Sequence, residues 1–214
     1  MITNRLLNTA LIAILFLVAP SGFSQTLEEV VVTAQIREQS LQDVPISVSA
    51  IDGEVIEDRS VDNLESLSAS VPNFYVAETQ IDTTISIRGV RSGANKGFEQ
   101  SVPLNFDGVT YPRSQLARTP LVDLERVEVL RGPQPTLFGK NAIGGVVSLT
   151  SAKPTEEFEG KFSTSHESEH DESQSLLVLS GPLSENLLGR LTVSTREMDG
   201  WIANQRMKRI EPQR

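Results

Sequence analysis

The sequence predicts an α+β domain, a small mixed sheet carrying short helices, followed by the first antiparallel strands of an incomplete transmembrane β-barrel. Three observations predict it. Between residues 41 and 152, short strand patterns alternate with short helical ones at a density that suits a sheet with helices packed on it. From Lys153 onward, strands with polar and apolar residues interleaved are separated by turn residues, the pattern of barrel strands of about ten residues, which a soluble meander would share. Beyond residue 24 no apolar run could form a membrane helix, so any return to a membrane must use strands or a partner.

The elements follow in chain order. Residues 1–24 read as a secretory signal peptide: Arg5 supplies the positive start, and Ala10 to Ala19 form an uninterrupted apolar run. Pro20 and Gly22 break the run, and Gly22-Phe23-Ser24 offers small residues for cleavage after Ser24. A bilayer span needs about 20 apolar residues, twice this run, which argues against the alternative of a membrane anchor. Residues 25–40 form an arm containing Glu28 to Ala34, a β-prone run with no neighbouring turn and no obvious strand partner. It suits an unpaired segment that adds itself to another protein's sheet edge, and equally the first strand of the next domain.

In residues 41–152, Ile46 to Ile51 alternate with period two and end at Asp52-Gly53, a turn signal. Asp62 and Glu65 make a capping box opening a short helix with Leu64, Leu67 and Val71 on its apolar face, stopped by Pro72. Phe74 to Ala77 and Thr84 to Ile87 are strand candidates, the second running into Arg88-Gly89. Val102 to Val109 ends in the turn pair Asp107-Gly108. Val127 to Leu130 and Gly145 to Leu149 are further strands, joined through Arg131-Gly132-Pro133 and a helical turn. In residues 153–214, Phe158 to Thr164, Ser175 to Ser180 and Arg190 to Arg196 are strands, with Gly181-Pro182 and Ser184-Glu185-Asn186 between the last two. Gln205 to Arg214 does not continue the pattern.

These residues carry a family resemblance. Glu29-Val30-Val31-Val32-Thr33-Ala34 resembles the TonB box of TonB-dependent outer-membrane receptors. Leu124 to Gln134 (LERVEVLRGPQ), then Phe138-Gly139 and Asn141 to Val147 (NAIGGVV), is similar to the most recognisable stretch of the receptor plug. Ser86-Ile87-Arg88-Gly89-Val90 and Asp107-Gly108-Val109 fall where two other plug signatures occur. Four motifs in family order, from the signal to about Asn204, are far more specific than any one.

The resemblance implies energy-coupled uptake of a scarce nutrient such as a ferric siderophore, cobalamin or a glycan. TonB would pair with Glu29 to Ala34 by strand addition, which needs an extended segment rich in backbone donors. Arg88 and Arg131 resemble two plug arginines that pair with barrel glutamates and latch the plug; the residues alone also allow two solvated arginines at strand ends. Gly132 before Pro133 permits a sharp exit from the strand, Gly139 closes the turn motif, and Gly144-Gly145 permits close backbone approach. Pro135 stands where the family usually has glycine and Lys140 where it often has arginine, so the turn must differ or tolerate a proline.

If residues 153–214 are barrel, His166 to Gln174 faces outward and Pro182 to Leu187 is a periplasmic turn. Asp199-Gly200-Trp201 then sits at the outer end of the third strand, where an aromatic belt is expected. Three strands cannot close in lipid, and a barrel holding a plug needs on the order of 20, so the chain reads as a truncated or incompletely sequenced receptor. The membrane partner would be the outer membrane through a complete barrel. A second reading is a stand-alone periplasmic module that engages TonB.

Other functions are disfavoured. The chain has 214 residues, no cysteine and a net charge of -9, which excludes a disulfide framework and thiolate sites and argues against nucleic acid. His166-Glu167-Ser168-Glu169-His170 matches a zinc-protease pattern, but the chemistry needs a helix, and Ser163, Ser165, Asp171, Glu172 and Ser173 around it leave no apolar stripe. Gly132 to Lys140 has the wrong spacing for a phosphate loop, with Asn141 where magnesium would need Ser or Thr. No catalytic residues, metal site or cofactor are expected, and the chain is not expected to be an enzyme.

Overall fold

The computed structural model describes residues 31–32, 39–40, 45–78, 83–92, 99–168, 171–199, 203–204 and 209–210. The signal segment, Gly200 and Trp201 lie outside them. In chain order the strands are β1 (Val31–Val32), β2 (Gln39–Ser40), β3 (Ser47–Asp52), β4 (Phe74–Glu78), β5 (Thr83–Ile87), β6 (Val90–Arg91), β7 (Leu104–Phe106) and β8 (Val109–Tyr111). They continue with β9 (Leu124–Arg131), β10 (Gly145–Ser151), β11 (Glu159–Glu167), β12 (Glu172–Ser184), β13 (Leu187–Glu197), β14 (Ala203–Asn204) and β15 (Arg209–Ile210). The helices are α1 (Gly53–Asp58), α2 (Leu64–Ser68) and α3 (Pro135–Phe138), with a 3-10 turn at Ser114–Arg118.

The central sheet has the order β3-β9-β10-β7-β8. It is mixed: β9 runs antiparallel to β3 and β10, whereas β10 runs parallel to β7. β9 and β10 lie inside the sheet beside the third interior strand, β7, and their apolar residues at alternate positions serve two cores. Val127, Val129, Val147 and Leu149 point to one face and pack with Leu64 and Leu67 of α2, Val76 of β4, and Ile85 and Ile87 of β5. Leu130 and Val146 point to the other face, with Phe138, Ala142 and Val32. Each fully buried Val, Leu or Ile contributes about 1.5–3 kcal/mol relative to exposure, so the two-sided burial of β9 and β10 makes them the spine of the domain. Charge inside β9 is neutralised locally. Arg126 and Glu128 lie two residues apart on one face, both buried, with Nε 3.1 Å from Oε1.

Several expectations are corrected. Asp52-Gly53 is not a turn; the chain passes straight into α1 at Gly53. Glycine is required there because a Cβ would overlap the carbonyl oxygen of Leu124, where α1 meets the start of β9. The helix after residue 62 is present, but its cap is Asn63, whose Oδ1 accepts the Ser66 N–H at 2.7 Å. Asp62 instead takes the Ser66 hydroxyl at 3.4 Å. The turn expected at Asp107-Gly108 is present: both residues have positive φ and turn β7 back into β8 as a two-residue hairpin, with Val109 on the second strand.

Beyond the domain, β11-β12-β13 form an antiparallel meander, longer than the sequence pattern suggested. Gly181-Pro182 lies inside β12, where a register shift between Pro182 and Ser184 absorbs the proline. The Pro182 to Leu187 turn therefore narrows to Glu185-Asn186, and the His166 to Gln174 loop narrows because Glu167 and Glu172 already pair. Residues after 204 hold one further pairing, with Arg209–Ile210 against Ala203–Asn204. Among the described residues no helix is long and apolar enough to cross a membrane.

Candidate coupling and gating site

The arm is paired. Val31 and Val32 lie antiparallel to Ser40 and Gln39, which fits the second of the two readings that the run left open, a strand with a partner in its own chain. The partner was illegible because it is two residues long and polar, too short to show alternation. Val32 is fully buried in the cluster of Leu130, Phe138, Ala142 and Val146. Glu29, Val30, Thr33 and Ala34 lie outside the described residues.

The same cluster is walled by the turn after β9. Gly132 has φ 101°, a left-handed conformation that favours glycine, and its N–H reaches the Gly144 carbonyl at 3.1 Å. Pro133 is exposed on the outside of the turn. Gln134 N–H meets the Ala142 carbonyl at 2.8 Å, closing the loop across α3. Pro135 is the first residue of α3, where a missing N–H costs nothing, so the turn accommodates the proline without change of plan. Gly139 ends α3, donating to the Pro135 carbonyl at 3.1 Å. At Gly145 a Cβ would overlap the Leu130 carbonyl oxygen and crowd Ile87, and at Gly144 it would press on Val90 and Val102.

Arg88 and Arg131 end adjacent segments. Arg88 is exposed at the tip of the β5-β6 hairpin, with φ 51° and Gly89 at 82°. Arg131 closes β9 opposite Ser47 and Gly145. Its guanidinium donates to the Ser47 hydroxyl at 3.0 Å and to the Ser49 hydroxyl, both on β3. Ile87, beside Arg88, faces Gly145, the pairing partner of Arg131, so both arginines belong to one end of the domain.

The meander presents two unlike faces. Phe162, Leu177 and Val193 lie in register across its three strands, all exposed, with exposed Leu191 further along the same face. The alternate positions, Lys161, Arg190, Thr192 and Arg196, reach the domain instead. Arg190 grips Asp123 with Nε 2.8 Å from Oδ2 and Nη2 2.5 Å from Oδ1, and the Thr192 hydroxyl donates to the same carboxylate. Lys161 pairs with Glu57, and Arg196 reaches Asp62 at 2.8 Å. The Arg190 hydrogen bonds outweigh burial and hold the Asp123 carboxyl below the ordinary carboxylate range, with Thr192 and the charge of Lys161 adding to the effect. An apolar face turned away from the domain and a charged face turned toward it is the two-sidedness of a barrel wall around a plug.

Sequence reasoning missed Asp123, Arg190 and Thr192. The available signal was the run Arg190, Thr192, Ser194 and Arg196 alternating with Leu191 and Val193, which marks a polar face without naming its partner. His166 and Glu167 end a strand, and His166 Nδ1 lies 3.1 Å from the Ser173 hydroxyl, so the helix a zinc-protease motif needs is absent there. Among the described residues no cluster has the make-up of a metal site.

Comparison with known proteins agrees with this arrangement. The family model of the TonB-dependent receptor plug domain matches residues 40–146. The iron-regulated outer membrane virulence protein of Vibrio cholerae is 33% identical over 196 residues, covering 84% of this chain and 30% of that protein. The pesticin receptor of Yersinia pestis is 31% identical over 162 residues, 74% of this chain and 24% of that one. The crystal structure of the ferric yersiniabactin uptake receptor FyuA from Yersinia pestis superposes with a TM-score of 0.68 at 30% identity, covering 75% of this chain and 25% of that chain. The chain thus spans less than a third of the length of these relatives, two of which are named as receptors. It belongs to the TonB-dependent receptor family of the outer membrane, carrying the plug domain and the antiparallel strands that follow it.

Proposed function

We propose that this chain is the coupling and gating end of an outer-membrane receptor that takes up a ferric siderophore with energy supplied through TonB. The observation that carries the reading is the docking of a plug-family domain on the charged face of a sheet whose other face is apolar and exposed. The names of the relatives, iron-regulated and ferric yersiniabactin uptake among them, favour iron over cobalamin or glycans as cargo. Residues 1–24 would direct export and be removed, the plug would occupy 41–152, and the wall would begin at 153.

In this reading Glu29 to Ala34 are the TonB-binding segment. Strand addition needs free backbone donors on that segment. Val31 and Val32 pair with β2 on one edge and Val32 packs in the core, so a TonB strand adds at the other edge or after this two-residue pairing opens. Arg88 and Arg131 would form the latch toward the wall, with Ser47 and Ser49 holding the Arg131 guanidinium in place.

The test is growth on ferric siderophores in an iron-starved strain lacking its own receptors but expressing the complete receptor that contains this chain. Rescue by at least one siderophore, lost without TonB and lost on Val31→Pro, is expected, because proline removes a donor from the added strand. TonB-independent rescue, or no rescue across ferric siderophores with a receptor present in the membrane, refutes it.

A further inference from the structure

The groups expected to hold the plug, Arg88 and Arg131, lie at the β9-β10 hairpin end of the domain. The opposite end has a joint of its own, centred on Asp123. Asp123 stands just before β9 with φ 54°, a left-handed conformation that aspartate tolerates better than most residues. Its carbonyl accepts the Ala152 N–H at 3.0 Å, tying the start of β9 to the end of β10, where the chain leaves the plug. Its carboxylate is held in the two-pronged grip of Arg190 and by the Thr192 hydroxyl, so one residue joins the head of β9, the plug exit and β13. Arg190 also reaches the Lys153 carbonyl at 3.4 Å, on the linker itself.

Packing alone does not close this joint, although Val178, in register with Thr192 on the same face, is buried. A cleft of about 490 Å³ separates the plug from β13 here, lined by Phe106, Leu121 and Leu149 on one side and Arg190 and Thr192 on the other. The bridge spans a gap that apolar contact leaves open. The Asp123 and Arg190 side chains are 12% and 19% exposed, so the pair is shielded from water and from salt. The flanking Lys161–Glu57 pair is 50% and 40% exposed, in the range where such pairs contribute little.

We propose that Asp123 is a positioning residue that docks the exit of the plug on the third wall strand and sets the register in which the plug seats, independently of Arg88 and Arg131. This rests on the reading of β11-β12-β13 as barrel wall.

The experiment uses the complete receptor expressed in outer membranes, with two readouts: entry of vancomycin, which a seated plug excludes, and TonB-dependent uptake. Folding of the barrel is checked by its resistance to unfolding in detergent without heat. Asp123→Asn should raise vancomycin entry about tenfold, the scale for losing a charge-assisted hydrogen bond in a shielded site. Arg190→Ala should do the same, the double variant should leak no more than either single one, and the exchange Asp123→Arg with Arg190→Asp should recover most of the seal. A merely structural role would not produce that recovery. Thr192→Val keeps the charge pair and should leak two- to threefold. Normal exclusion in Asp123→Asn and Thr192→Val, or strictly additive leaks in the double variant, overturns the proposal. Should Asp123→Asn fail to reach the membrane, Thr192→Val and the charge exchange decide it. A wild-type receptor that transports nothing would refute the uptake reading while leaving the leak measurements interpretable.

Discussion

Val32→Ala tests whether the arm is held by its own domain. Val32 is fully buried among Leu130, Phe138, Ala142 and Val146, and its strand pairs over two residues only. Two backbone pairings offset little more than the ordering of the residues that make them, so the buried side chain decides whether β1 stays docked. Truncation to alanine removes two methyl groups from a closed site, a loss of about 1.5–2.5 kcal/mol. That lowers the ratio of docked to free arm about ten- to seventyfold. Amide exchange in β1 and β2, at the register pair that carries the cross-strand hydrogen bonds, reads the ratio directly. Protection there should fall by that factor while the amides of β9 and β10 keep theirs, and the arm should become easier to cleave. Val129→Ala, which empties the opposite core, should instead loosen β9 and leave the arm's relative protection alone. Unchanged protection of β1 in Val32→Ala would refute the reasoning, because it would mean that the arm is held by something other than this contact.

Two further predictions follow from the same geometry. Gly53→Ala places a Cβ against the Leu124 carbonyl, so α1 must move off β9 and Ile56 lose its place in the core; the urea midpoint should fall by the equivalent of about 3–5 kcal/mol, whereas Gly108→Ala, with open space around it, should cost only the left-handed strain of about 1–2 kcal/mol. The Asp123 carboxyl titrates below its unfolded value, so its contribution is complete above about pH 4 and is lost as pH falls through the lowered value. A distance probe between the plug and β13 should therefore read the same at pH 8 and pH 5 and lengthen only in stronger acid, a transition that Asp123→Asn removes.

Legibility followed the range of the interactions. β3 was readable from its period-two alternation, β5, β9 and β10 from short β-prone runs buried on both faces, and α2 because Leu64, Leu67 and Val71 repeat at helical spacing. The capping aspartate was misread by one residue, since Asp62 and Asn63 are both good caps and only the entry angle of the chain chooses between them. Gly53 was misread in kind. A glycine after aspartate signals a turn, but here it is demanded by a carbonyl some seventy residues away. Pro135 departs from the family pattern, and its harmlessness depends on its being the first helical residue, which sequence spacing leaves open by a position.

The sequence by itself determined the family, the order of plug and wall, and which residues of β11, β12 and β13 share a face, because motif order and period-two alternation are written along the chain. Tertiary structure alone decided what those faces meet. The docking of Val32 under the β9 turn, the grip of Ser47 and Ser49 on Arg131, and the joining of Asp123 to Arg190 and Thr192 each unite residues far apart in the chain. No local preference of an aspartate or an arginine encodes its partner. Shielded charges choose one another only when the fold has brought them together and removed the water between them.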